Sequence, residues 1–236
     1  MARISLAGSL GRTLLAECPG VLLDFFDTHQ ACDLRLVCRE FQAAVAAHPW
    51  EDRGTVILGS IGAWRACFPR ARCVNMRKLA WGGVGVVRRA PVVDADFVHL
   101  EGLWEVDISG CRAVTDAAFV HLRGIQKLCI WGCDQVTLTD AAFIHLRGIR
   151  VLNMGHCAQL TDAVFEHLKG IHSLGIEFCF QDTITGTDLA LLVGTTNLGM
   201  YECSEDAIAA AEDLGLPVTR RCFTRYGPFD CSFMRR

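Results

Sequence analysis

Nowhere in the 236 residues does an apolar run approach the roughly 18 that a membrane-crossing helix needs. The sequence shows no secretory signal pattern and no local C-x-x-C pair. It also lacks H-E-x-x-H, G-x-S-x-G and the P-loop. These absences argue against a membrane-spanning protein, a secreted disulfide framework, a zinc finger, and the enzymes that those motifs mark. The stretch from Trp81 to Val87 is glycine-rich, yet G-x-G-x-x-G spacing is missing, and Arg88-Arg89 after it adds little. It reads as an insertion between repeats rather than a phosphate cradle. Residues 1–16 contain Arg3 and Arg12 and no acid, and read as a loose leader, a mitochondrial presequence being the alternative. With no catalytic constellation, the chain reads as non-enzymatic, without cofactor or metal.

Cysteine, by contrast, is plentiful. The total of 13 is odd, and five stand at one repeat position, 111, 133, 157, 179 and 203, rather than in pairs. That pattern predicts reduced, buried thiols whose S–H groups meet loop carbonyls, in a reducing intracellular compartment, cytoplasm or nucleus. Charge is uneven. Residues 1–90 carry 12 basic and 7 acidic side chains, residues 91–219 carry 6 and 18, and residues 220–236 carry 5 and 1. An acidic middle is a poor surface for phosphate backbones, so a protein partner is expected and nucleic acid is not.

The acidic stretch is a repeat. Phe97, Phe119, Phe143, Phe165 and Leu189 open one column, and His99, His121, His145, His167 and Leu191 stand two residues on. Leu100, Leu122, Leu146, Leu168 and Leu192 follow, then glycines at 102, 124, 148, 170 and 194. Steps of 22 and 24 residues are those of a leucine-rich solenoid. Thr115-Asp116, Thr139-Asp140 and Thr161-Asp162 each suit a helix start, the Thr oxygen as cap and the Asp at the positive end of the dipole. Alternation at Leu128 and Ile130 predicts a strand of about three residues, and parallel strands are expected centred on 107, 129, 153, 175 and 199. One unit cannot bury its own apolar face, whereas stacked neighbours can. The fold class is therefore α/β, a leucine-rich-repeat solenoid with short parallel strands on the concave side and short helices on the convex side. The histidine column reads as a polar ladder beside the core.

Five stretches follow from this register. They are a leader at 1–17, a helical segment at 18–52, irregular first repeats at 53–92, regular repeats at 93–203, and a C-terminal cap and tail at 204–236. In the helical segment Pro19 suits a helix start, with Leu22, Phe25 and Phe26 as an apolar face behind it. A second run places Leu34, Val37, Phe41 and Val45 on one helix face. In the irregular repeats Val56 to Leu58 reads as a strand, Ser60 to Phe68 as a helix stopped by Pro69, and Cys73 to Met76 as the next strand. Ser204 to Leu214 reads as a last helix, Leu216 to Val218 begins a closing segment, and the tail with Phe223, Tyr226, Phe229 and Phe233 reads as a cap. Outward positions on the concave sheet include Glu105, Asp107, Lys127, Trp131, Asn153, Glu177 and Tyr201. Trp131 and Tyr201 share a strand position three repeats apart, roughly 14 Å, around a gap at Gly155 and Glu177 suited to a basic and apolar protein segment.

Pro19, Val21-Leu22, Phe25-Phe26, Leu34 and Val37-Cys38-Arg39-Glu40-Phe41, ending near Trp50, resemble an F-box. The repeats resemble the cysteine-containing leucine-rich repeats that often follow one, and also repeats abundant in large DNA viruses of amoebae. The sequence departs from the F-box pattern at Cys18, where Leu is usual, and at Gln30-Ala31. The resemblance implies a substrate receptor of a cullin-RING ubiquitin ligase. Pro19, Leu22, Phe25, Phe26, Leu34, Val37 and Phe41 would meet a Skp-type linker subunit, and the concave face would hold the ubiquitylation target. The alternative is a stand-alone binding or scaffold protein, within a viral particle or host cell, whose helical start only caps the solenoid. The two differ in whether that start leaves apolar surface free.

Overall fold

The structure is a computed structural model and describes residues 23–26, 28–51, 60–76, 91–178, 183–220, 223–224 and 227–228. Pro19, Leu22, the expected strand at 56–58 and the glycine-rich stretch at 81–87 lie outside the described residues. The chain divides into two compact units, residues 1–74 and 75–236. No described helix is long and apolar enough to cross a membrane.

The first unit holds α1 (Thr28–Leu34), α2 (Arg39–Ala47) and α3 (Ile61–Cys67). The expected single run through Leu34, Val37, Phe41 and Val45 is broken. Leu36 and Val37 donate their N–H groups to carbonyls only three residues back, Asp33 and Leu34, which closes α1 tightly. The chain then restarts through an extended Cys38, at φ −160°. Val37 thus leaves the face that Leu34 and Phe41 share. Leu23, Ala31, Leu34, Phe41, Val45, Trp50, Ile61 and Phe68 are buried in this unit. Trp50 donates its indole N–H to Val45 O at 2.8 Å and meets Phe68 edge-on at 5.6 Å, so its one polar group is satisfied. Ser60 caps α3, accepting from Ala63 N–H at 3.1 Å. Strand β1 (Cys73–Asn75) follows, at the division between the units.

The second unit is the solenoid. Strands β2 (Glu105–Asp107), β3 (Lys127–Cys129), β4 (Val151–Asn153), β5 (Ser173–Gly175) and β6 (Asn197–Gly199) pair in parallel and in sequence order. Their register sets Val106 beside Leu128, then Leu152, Leu174 and Leu198, all buried. Each strand is centred one residue before the expected position. Backbone bonding does continue past it, with Ile108 N–H to Cys129 O and Gly110 N–H to Trp131 O, both 2.9 Å. Extended geometry nevertheless ends as Gly110 and Gly132 turn left-handed, at φ 73° and 71°.

The helices fall where expected and are 3₁₀ helices, at Asp94–Leu100, Asp116–Leu122, Asp140–Leu146, Asp162–His167 and Leu189–Leu192. With three residues per turn, Phe119 and Leu122 eclipse on one inward face. Seven residues at about 2 Å rise also reach farther than seven in an α-helix at about 1.5 Å, which suits so short a repeat. Phe97, Phe119, Phe143 and Phe165 are fully buried in one column, and Phe119 stacks on Phe143 at 6.4 Å.

The Asp at each helix start does more than face a dipole. Asp116 accepts from the N–H and hydroxyl of Thr139, one repeat on, at 2.7 and 2.6 Å. Asp94 holds Thr115, Asp140 holds Thr161 and Asp162 holds Thr185 in the same way. Each Thr that starts a full helix still caps it, as Thr139 accepts from Ala141 N–H at 3.3 Å. Beyond the repeats, α4 (Glu205–Asp213) is capped by Ser204, β7 (Val218–Thr219) adds to β6, and a short antiparallel pair joins β8 (Phe223–Thr224) to β9 (Gly227–Pro228).

Candidate functional site

Outward positions of the sheet form three rows across the repeats. Lys127 stands in register between Glu105 and Val151. In the second row Asp107 neighbours Cys129, then Asn153. The third, just past the strand ends, holds Ser109, Trp131, Gly155, Glu177 and Tyr201.

Burial corrects the expectation that these rows offer open polar side chains. Glu105, Asp107, Asn153 and Glu177 are 1–4% exposed, while Lys127, Trp131 and Tyr201 are half-buried. Short side chains here bend back onto their own strand exits. Asp107 Oδ1 accepts from Ser109 N–H, and Asn153 Oδ1 from Gly155 N–H, each at 3.0 Å. The expected gap at Gly155 is filled. A β-carbon on Gly155 would lie 2.9 Å from both Glu177 Oε2 and Trp131 Cδ1, so these two side chains already converge over the glycine. Glycine is required there because any side chain would displace one of them.

Trp131 and Tyr201 are not isolated anchors either. Between them stand His156 and Phe178, each one residue past the third row. Trp131 meets His156 at 5.5 Å between ring centroids, His156 meets Phe178 at 6.4 Å, and Phe178 meets Tyr201 at 5.4 Å. The result is a row of four rings over four consecutive repeats. His156 is exposed, and the other three are half-buried. His156 and Phe178 occupy the slot that Gly110 and Gly132 fill in earlier repeats and Glu202 fills in the next. All five are left-handed, and φ is 59°, 57° and 56° at His156, Phe178 and Glu202. A left-handed non-glycine residue costs on the order of 1 kcal/mol. The sequence signal was available, because the slot reads Gly, Gly, His, Phe, Glu, but the apolar columns drew attention to the strand instead.

Cys111, Cys133 and Cys157 are buried, as expected, whereas Cys203 is half-buried. Cys133 donates to Ile108 O, Cys157 to Ile130 O and Cys203 to Ile176 O, at 3.3, 3.2 and 3.0 Å, each to a carbonyl of the previous repeat. Burial pushes the Cys129 and Cys133 thiols up to about 12, and Cys111 higher still. Cys179 lies outside the described residues. No group of three His, Cys, Asp or Glu among the described residues could hold a metal ion.

His121, His145 and His167 make a polar ladder, each with the residue after the inward Leu of the preceding repeat. Glu101 reaches His121 Nδ1 at 2.6 Å, Arg123 donates to His145 Nδ1 at 3.3 Å, and Arg147 lies 3.5 Å from His167 Nδ1. Desolvation, then the Arg123 charge, hold His145 below its usual range.

In the first unit the candidate residues divide. Leu34 and Phe41 are buried and Phe26 is half-buried, whereas Phe25 and Val37 stand 80% and 56% exposed. Leu36, not foreseen as part of a site, is 79% exposed beside Val37.

The sequence matches no family model, and no curated protein matches it. Among solved structures, the chain is similar to one in the Rad7–Elc1 complex of yeast. The TM-score is 0.37 at 16% identity, over 55% of this chain and 44% of that one. It is also similar to a chain of the TLR13–ssRNA13 complex, with a TM-score of 0.48 at 14% identity, over 69% of this chain and 23% of that one. The chain thus spans less than half the length of either.

Proposed function

We propose that this chain is a non-enzymatic protein-interaction module that acts as a substrate receptor. Its first unit docks a Skp-type linker subunit of a cullin-RING ubiquitin ligase, and the sheet side of its solenoid takes the target protein. One observation carries this reading. Phe25, Leu36 and Val37 remain exposed while Leu23, Ala31, Leu34, Phe41, Val45 and Trp50 form the core of the same unit. Apolar side chains left exposed beside so complete a core are the surface that a docking segment keeps for its partner. Burying three such side chains on association would contribute several kcal/mol, at about 25 cal/mol per Å².

The test is capture of a purified Skp-type linker by the full chain. Val37→Asp is expected to weaken capture more than tenfold while leaving the melting temperature within a few degrees of the parent's, because Val37 lies outside the core. A parent chain that captures no linker would overturn the receptor reading in favour of a stand-alone scaffold.

A further inference from the structure

The row Trp131, His156, Phe178 and Tyr201 is a candidate recognition surface, and we infer that it binds an extended, arginine-bearing segment of a partner protein. The inference rests on the target-binding half of the reading above and moves the contact from the sheet face to the strand exits.

Three observations carry it. The rings form an unbroken series, 5.5, 6.4 and 5.4 Å apart, across four repeats. Three strand steps of about 4.8 Å are the length of four or five extended residues. Second, His156 and Phe178 hold left-handed conformations in a slot where Gly110 and Gly132 show that glycine serves the fold. Replacing glycine there adds ring surface at the expense of backbone comfort, a trade that marks functional positions more often than structural ones. Third, the charge is right. Residues 91–219 carry 18 acidic side chains against 6 basic, and exposed Glu202 continues the slot after Phe178. A guanidinium finds both ring faces and a negative field in such a place. The same field repels phosphates, which argues against a nucleic-acid strand stacking on the rings.

The slot also supplies an unusual control. His156→Gly with Phe178→Gly restores the residue of the earlier repeats, so the melting temperature is expected to be unchanged or raised. Rings that serve only to hold the fold would instead lower it.

The probes are a fluorescent 12-residue peptide of alternating arginine and glycine, the same peptide with citrulline for arginine, and oligo-dT of 12 nucleotides. The full parent chain is expected to bind the arginine peptide at least tenfold tighter than the citrulline peptide, more weakly as salt rises, and oligo-dT least. The double glycine variant is expected to lose at least tenfold in arginine-peptide affinity. Equal binding of the citrulline peptide, tighter binding of oligo-dT, undiminished binding by the variant, or a variant that melts well below the parent would each overturn the inference. Linker capture read on the same samples separates the two claims. Peptide binding without capture overturns only the linker half of the receptor reading, and capture without peptide binding overturns only the present one.

Discussion

The two units spend their apolar side chains differently. In the solenoid Phe97, Phe119, Phe143 and Phe165 are wholly buried, and Phe119 and Phe143 each lie between copies of themselves. In the first unit Phe41 and Trp50 are as deeply buried, yet Phe25, Leu36 and Val37 face solvent. Stacking covers the inward columns, so each buried Phe finds a partner within the chain, while the outward column of Val98, Val120 and Ile144 stays 47%, 39% and 49% exposed. Three short helices without copies have no such guarantee, and Phe25, Leu36 and Val37 are what they leave uncovered. Repetition makes a fold legible; its breakdown marks where function is to be sought.

The largest expected contrast is in the columns themselves. Phe143→Ala removes a fully buried ring that stacks on Phe119 at 6.4 Å. It should destabilise the second unit by about 3–5 kcal/mol, because flanking repeats are held by their own strands and cannot collapse into the cavity. Chemical denaturation of the parent and the variant measures this. A loss under 1 kcal/mol would mean that the columns are not the core they are taken to be.

Next come the links between repeats. Asp140→Ala leaves the Thr161 N–H and hydroxyl without their 2.9 and 2.6 Å partner. The expected loss is about 1.5 kcal/mol, since hydrogen bonds to a carboxylate outrank neutral ones and this pair is only half-buried. Asp140→Asn should recover part of it by keeping an acceptor oxygen. Equal losses in the two variants would show that charge, rather than hydrogen bonding, ties the repeats.

How far this was readable from sequence follows the same division. The period placed the helix starts, the glycine ends and the parallel strands, because a pattern repeated five times averages out local noise. It left the helix type open, since an i, i+3 spacing of Phe and Leu fits α and 3₁₀ alike. It also read Glu105, Asp107, Asn153 and Glu177 as open, because alternation tells which face a side chain leaves from and not that Asp107 and Asn153 fold back onto the strand exits. The aromatic row escaped because it depends on φ at His156 and Phe178, which no apolar pattern encodes. In the first unit a single amphipathic run hid the turn at 35–37, and Val37 was assigned to a face that it leaves.

Alkaline titration separates the units again, more gently. Cys129 and Cys133 are neutral in the folded state, their thiols raised from 9.0 to about 12 by burial. Their folded values exceed the unfolded one, so this contribution is whole below pH 9 and is lost as pH rises from about 9 towards 12. Stability should therefore fall in that window, and less so in Cys129→Ala compared with its own value at pH 8. Native thiol labelling gives the same contrast at neutral pH. Exposed Cys32 of the first unit should react quickly, and Cys133 and Cys157 only through unfolding.

The smallest expected effect on the fold is at Phe25 and Leu36, and it sharpens the comparison most. Both side chains are about four-fifths exposed, so little apolar area returns to water if they are shortened. Phe25→Ser with Leu36→Ser should change stability by no more than about 0.5 kcal/mol, the range of ordinary surface substitutions. The same change removes most of the apolar surface offered to a linker, so capture should fall more than tenfold while far-ultraviolet dichroism and the unfolding midpoint stay put. A midpoint lowered by several degrees would show instead that these residues are covered in solution. The first unit would then resemble the second in closing on itself, and the surface proposed for a partner would belong to the fold.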